Sequence, residues 1–176
     1  MRYKAILFDM DGTLLDTLTD MADAVNHILS VHGWPLRTTE EVRAFVGNGA
    51  RRLMERAVPP EVTGGDFEAV LTEYRDWYQT HNCVATAPYP GIPALLAALA
   101  KAGIKTAVVS NKPDATTKTL AARFFPGLPA FGQRDDVPPK PAPDLVFRAL
   151  ETLGVDAADA IYVGDSEVDV ATARNA

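Results

Sequence analysis

Three short apolar runs constrain this chain more than anything else in it: Ala5–Phe8, residues 104–109 and Ala160–Val163. None alternates cleanly between apolar and polar residues, which suits strands buried on both faces of a parallel sheet. Each run stops at polar residues. The first gives way to Asp9-Met10-Asp11-Gly12-Thr13, the second to Ser110-Asn111-Lys112 and the third to Gly164-Asp165. A parallel sheet puts the carboxyl ends of its strands on one edge, where open α/β sheets bind ligands. Two acids two residues apart at such an edge are costly to desolvate alone, and a hard cation such as Mg²⁺ would offset that cost.

Between the first run and the rest lies a different pattern. Leu18, Met21, Val25, Ile28 and Leu29 follow helical spacing up to Gly33, and Thr38 with Glu41 forms a capping box for a short helix. A third helix is expected over residues 50–58. A fourth carries Phe67, Val70, Leu71, Tyr74, Trp77 and Tyr78, with Asp66 as its expected N-cap. Its aromatic stripe reads as packing. From Tyr89 onward helices and strands alternate. The expected fold is therefore a doubly wound, parallel α/β core of Rossmann-like architecture over residues 1–15 and 84–176. An all-helical insert is expected over residues 16–83, long enough for a small bundle.

Composition narrows the function classes. Apolar residues make up 47% of the 176 and charged residues 23%, so a folded core is expected rather than disorder. The net charge of −6 comes without a basic cluster that could track a phosphate backbone, which disfavours nucleic acid. Cys83 is the only cysteine, and His27, His32 and His81 all fall in helical segments, so no zinc-ligand spacing is present. No signal-peptide pattern or membrane-length apolar run occurs, so a cytoplasmic protein without membrane association is expected.

Taken singly, the polar strand ends have ordinary readings. Asp11-Gly12 could be a turn, Ser110-Asn111 a helix cap, Lys140 a solvated loop lysine, and Asp165 to Asp169 the acidic opening of a helix. Together they are more specific. The series Asp9-x-Asp11-Gly12-Thr13, Val108-Val109-Ser110-Asn111, Lys140-Pro141 and Gly164-Asp165-x-x-x-Asp169 resembles all four motifs of the haloacid dehalogenase-like hydrolase superfamily. The resemblance runs over the whole chain.

That resemblance implies a role for each matched position. Asp9 would be the nucleophile that forms an aspartyl-phosphate, and Asp11 the acid and base for the leaving oxygen and the water. Lys140 would steady the negative charge. Mg²⁺ would be held by the side chains of Asp9 and Asp165 and the main-chain oxygen of Asp11, with Asp169 acting through bound water or through Lys140. Thr13, Ser110 and Asn111 would bind the phosphoryl group, helped by backbone amides after Asp9 and, at a helix N-terminus, after Ser110. Asp11 argues against a dehalogenase, which needs no leaving-group acid.

The insert would be the smaller cap of this superfamily. Its stretch from Phe45 to Ala57, with Arg51 and Arg52, is similar to that of bacterial phosphoglycolate phosphatases, which implies that these arginines meet a substrate carboxylate. The expected substrate is a small phosphorylated metabolite, 2-phosphoglycolate first. A β-phosphoglucomutase-like enzyme or broad sugar phosphatase is the nearest alternative, and a receiver domain or a phosphate-binding regulator the non-catalytic one. The chain ends one helix past Asp165, where similar proteins continue. A C-terminally truncated chain is therefore expected, with self-association through an exposed last strand.

Overall fold

The computed structural model describes residues 3–176. They divide into two compact units, one formed by residues 3–16 and 87–176 and the other by Thr17–Thr86.

The first unit is built on a parallel sheet. Its strands are β1 (Ala5–Phe8), β4 (Lys105–Pro113), β5 (Ala130–Gln133) and β6 (Ala160–Val163), in the order β5-β4-β1-β6. The chain steps outward from β1 through β4 to β5, then returns to add β6 on the other flank of β1. The order therefore reverses at β1, and the carboxyl end of that strand is the switch point at which such sheets form a crevice. Phe8 is level with Val108 on one side and Val163 on the other, so Asp9 and Gly164-Asp165 leave the sheet at the same edge, where β4 carries Ser110.

Side chains alternate between faces with a period of two. Leu7, Ala107 and Val109 share one face and pack with Leu145, Val146, Ala149 and Leu150 of helix α7 (Asp144–Leu153). Helices α5 (Ile92–Lys101), α6 (Asp114–Phe124) and α8 (Glu167–Asn175) complete the alternation. A two-residue ribbon, β2 (Leu15–Asp16) against β3 (Ala87–Pro88), closes the unit where the chain leaves and re-enters it. Such short pairings carry no periodicity, which is why the sequence did not suggest them.

Two local expectations change. The second strand continues through Ser110, Asn111 and Lys112 to Pro113, and α6 starts only at Asp114. The amides after Ser110 are thus in extended chain rather than at a helix start, because the residue before Pro113 is held out of helical geometry. The β4–β5 ladder shifts register between Val109 and Pro113, which accommodates this extension.

The second unit contains α1 (Leu18–Val31), α2 (Thr39–Phe45), α3 (Gly49–Ala57) and α4 (Gly64–His81) around a core that includes Val25, Leu29, Val42, Met54, Leu71 and Tyr74. The Thr38/Glu41 capping box is formed. Helix α4 starts earlier than expected: Thr63 is its N-cap and Asp66 lies inside the first turn, where an acid still favours the positive end of the helix. His27, Trp77 and His81 stack face to face on this unit.

The unit boundaries lie at 16/17 and 86/87, against the expected 15/16 and 83/84. Asp20 accounts for the later return. Its buried carboxylate accepts hydrogen bonds from the amides of Val84, Ala85 and Thr86 at 3.0, 2.8 and 2.9 Å, tying these residues to the helical unit. None of the described helices is long and apolar enough to cross a membrane.

Candidate active site

Asp9 follows directly from β1. Its amide donates to Val163 O at 2.8 Å, so it stays in the sheet register while its side chain reaches the strand-end edge. Oδ1 of Asp9 accepts from the amide of Met10 at 2.7 Å and lies 3.0 Å from Lys140 Nζ. Burial pushes the Asp9 carboxyl up to about 6; Lys140 opposes this, while Asp169 and Asp11 add to it by repulsion.

After Met10 the chain turns sharply. Gly12 sits at φ +75°, and a Cβ there would overlap Oδ2 of Asp165. Glycine is needed for both reasons: the backbone conformation is one that L side chains rarely adopt, and a carboxylate fills the space. Gly164 has the second kind of constraint, since a Cβ there would overlap the Asp169 carboxyl group. The turn brings the Asp11 carboxylate within 3.3 Å of Lys112 Nζ, a buried cation contributed by β4. The Thr13 hydroxyl is buried and finds no protein partner.

Lys140 lies in the Pro-rich loop before α7, and its ammonium is almost wholly buried. Nζ reaches Asp9 Oδ1 at 3.0 Å, Asp169 Oδ1 at 2.7 Å and the Tyr162 hydroxyl at 3.0 Å. Burial alone would lower its pKa, but Asp9, Tyr162 and Asp169 together outweigh that and hold it above the ordinary lysine value. It is a charged lysine. Asn111 fixes the loop behind it, donating to Lys140 O at 3.1 Å and accepting from Lys140 N at 2.7 Å. The amide expected to bind substrate thus engages the main chain of the lysine. Ser110 Oγ accepts from Lys112 N at 3.2 Å.

Asp165 and Asp169 flank the start of α8. Ser166 caps that helix in a reciprocal box with Asp169, donating from both its amide and its hydroxyl to Oδ2. This leaves Oδ1 of Asp169 for Lys140. Burial would raise the Asp169 pKa, but Lys140 and the Ser166 hydrogen bonds outweigh it and hold the group low. Asp165 is exposed, and partial desolvation with repulsion from Asp169 holds its carboxyl above the ordinary value. Ligand oxygens of Asp9, Asp165 and Asp169 lie within 4.8 Å of one another. Three carboxylates that close repel each other, and hard oxygen donors in this arrangement fit a divalent cation. The Asp11 carboxylate falls outside the group.

Arg51 and Arg52 belong to the helical unit. Arg51 makes a two-pronged pair with Glu68 at 2.7 and 2.8 Å, and Arg52 pairs with Glu55 at 2.8 Å, all on exposed side chains. Sequence reasoning did not single out Tyr162 or Ser166. The Ser166-x-x-Asp169 spacing was a usable capping-box signal, whereas Tyr162 reads simply as a strand residue.

With this geometry in view, the comparisons are decisive on family. Residues 3–176 match the family model described as haloacid dehalogenase-like hydrolase. The chain belongs to that family. It is 35% identical over 184 residues to an N-acetylmuramic acid 6-phosphate phosphatase of Pseudomonas aeruginosa, covering 100% of this chain and 79% of that protein. It is 36% identical over 184 residues to a phosphoglycolate phosphatase of Pseudomonas savastanoi pv. phaseolicola, covering 98% of this chain and 66% of the relative. Among solved structures, a Lactobacillus delbrueckii subsp. bulgaricus protein provisionally described as a phosphoglycolate phosphatase superposes with a TM-score of 0.93. The two share 36% identity, with 99% of this chain and 83% of the other covered. The strand-end edge of this hydrolase is thus its candidate active site.

Proposed function

We propose that this hydrolase cleaves a small phosphate monoester through a phosphoryl-enzyme intermediate on Asp9. The observation that carries the reading is the placement of Lys140 between Asp9 and Asp169, with Asp165 on the same edge. A cation-steadied carboxylate beside further acids suits phosphoryl transfer, in which positioning and charge stabilisation supply most of the catalysis.

Oδ1 of Asp9 carries the contacts to Met10 and Lys140, so Oδ2 is the oxygen that attacks phosphorus. The ester oxygen departs with a proton from Asp11, and Asp11 then takes one from the water that cleaves the aspartyl-phosphate. Lys112, 3.3 Å from Asp11, orients that carboxyl group. The Thr13 hydroxyl, a buried group without a protein partner in the turn that follows Asp9, supports the reading as a donor suited to a phosphoryl oxygen. Asp9 and Asp165, with the main-chain oxygen of Asp11, would hold Mg²⁺, while Asp169 is committed to Lys140 and Ser166. When bound, Mg²⁺ would offset the repulsion between the acids and the incoming phosphate.

The substrate we favour is 2-phosphoglycolate. The muramic acid phosphate phosphatase is about as similar, so a sugar-acid phosphate is the second reading. Both are phosphate monoesters of carboxylic acids. Phosphate release from these two, beside a neutral sugar phosphate, tests the choice. Release confined to the neutral ester would reject the carboxylate-bearing substrate class.

A further inference from the structure

We infer that Tyr162 is a positioning residue that fixes the Lys140 ammonium between Asp9 and Asp169. An ammonium has three N–H donors and no acceptor. Around Lys140 Nζ stand three oxygens at hydrogen-bond distance: Asp9 Oδ1 at 3.0 Å, Asp169 Oδ1 at 2.7 Å and the Tyr162 hydroxyl at 3.0 Å. The third site decides whether the lysine is held in one orientation or can pivot about the two carboxylates.

The hydroxyl is itself oriented. It donates to Val109 O at 2.8 Å, which commits its only proton to β4 and turns its lone pairs toward Lys140. Val109 lies where the β4–β5 ladder shifts register, so its surroundings already depart from regular strand pairing. One side chain on β6 thus ties the loop lysine to β4 and β6 at once.

A neutral third partner has a chemical advantage. A third carboxylate would compete with the phosphoryl group for the charge of Lys140, whereas a phenol orients the ammonium and leaves its charge to Asp9 and the substrate. Burial holds the phenol above its ordinary pKa and therefore neutral. This role rests on the phosphatase reading for its effect on turnover, but the positioning of the lysine does not.

The experiment uses the Tyr162→Phe variant, which keeps the ring and removes only the hydroxyl. ¹⁵N-lysine labelling reads the Lys140 ammonium directly, with the signal assigned by its loss in Lys140→Arg. The parent should show a protected Lys140 ammonium resonance. In Tyr162→Phe it should shift and exchange faster, while the thermal midpoint falls by only a few degrees. Turnover of the best phosphate ester should drop about tenfold in kcat, with KM within about twofold of the parent. An unprotected ammonium in the parent, an unmoved resonance in the variant, or a moved resonance with unchanged kcat overturns the proposal. A parent that releases no phosphate from any ester would reject the phosphatase reading separately, and the ammonium signal would still decide the positioning role.

Discussion

Lys140 Nζ stands 3.0 Å from Oδ1 of Asp9, with both side chains largely shielded from water. Removing the lysine would leave Asp9 beside Asp169 with no cation between them. Breaking one side of a buried ion pair is strongly destabilising. Lys140→Met should therefore lose about 3 kcal/mol of stability at neutral pH without added metal, measured by chemical denaturation. Its phosphate release should fall at least about 100-fold, as for loss of a key charge-stabilising donor. Wild-type turnover in this variant would show that Lys140 has no part in the reaction.

Gly12 and Gly103 separate backbone strain from crowding. Both have positive φ, +75° and +73°, but a Cβ at Gly103 meets open space whereas one at Gly12 meets the Asp165 carboxylate. Alanine at either should cost about 1 kcal/mol in backbone strain. Only Gly12→Ala should also displace Asp165, reducing phosphate release at least about tenfold. Thermal melting and activity of the two variants check this. Equal losses in both measurements would show that Gly12 serves the turn alone.

Asp20 bonds three successive amides at the point where the chain leaves the helical unit. In Asp20→Asn an NH₂ group would face an N–H that now meets an oxygen. The expected cost is about 3 kcal/mol, with faster proteolysis at residues 83–87. A loss below about 0.5 kcal/mol would mean that these amides have equivalent alternative partners.

Arg51 and Arg52 are expected to matter for recognition more than for stability. Their pairs with Glu68 and Glu55 are exposed, and such solvent-screened pairs contribute little to stability. Each alanine variant should melt close to the parent. If these arginines read a substrate carboxylate, KM should rise for carboxylate-bearing esters and stay unchanged for neutral ones. Unchanged KM and kcat in both variants would remove them from the site.

Three strands of the parallel sheet, β1, β4 and β6, were legible because they carry apolar runs that end at polar residues, whereas β5, Ala-Phe-Gly-Gln, carries no such run. Asp9, Lys140, Asp165 and Asp169 were legible because four motifs stand in the right strand context. What each polar group touches was not. Asn111 binds the main chain of Lys140, and the third partner of that lysine is Tyr162, 22 residues further along the chain. Spacing along a strand or loop does not encode such long-range partners. The end of β4 was misplaced for a local reason: Ser110-Asn111 looks like a helix cap, but the residue before Pro113 is held extended and the strand runs on to Pro113, which itself caps the helix at Asp114.

The most direct test of the central claim is phosphate release from a panel of esters, with Mg²⁺ and with chelator, for the parent and Asp9→Asn. The panel includes 2-phosphoglycolate, N-acetylmuramic acid 6-phosphate and neutral sugar phosphates. The account predicts Mg²⁺-dependent release, fastest with a carboxylate-bearing ester and abolished in Asp9→Asn. Release that persists in Asp9→Asn, or that is indifferent to chelator, would contradict it.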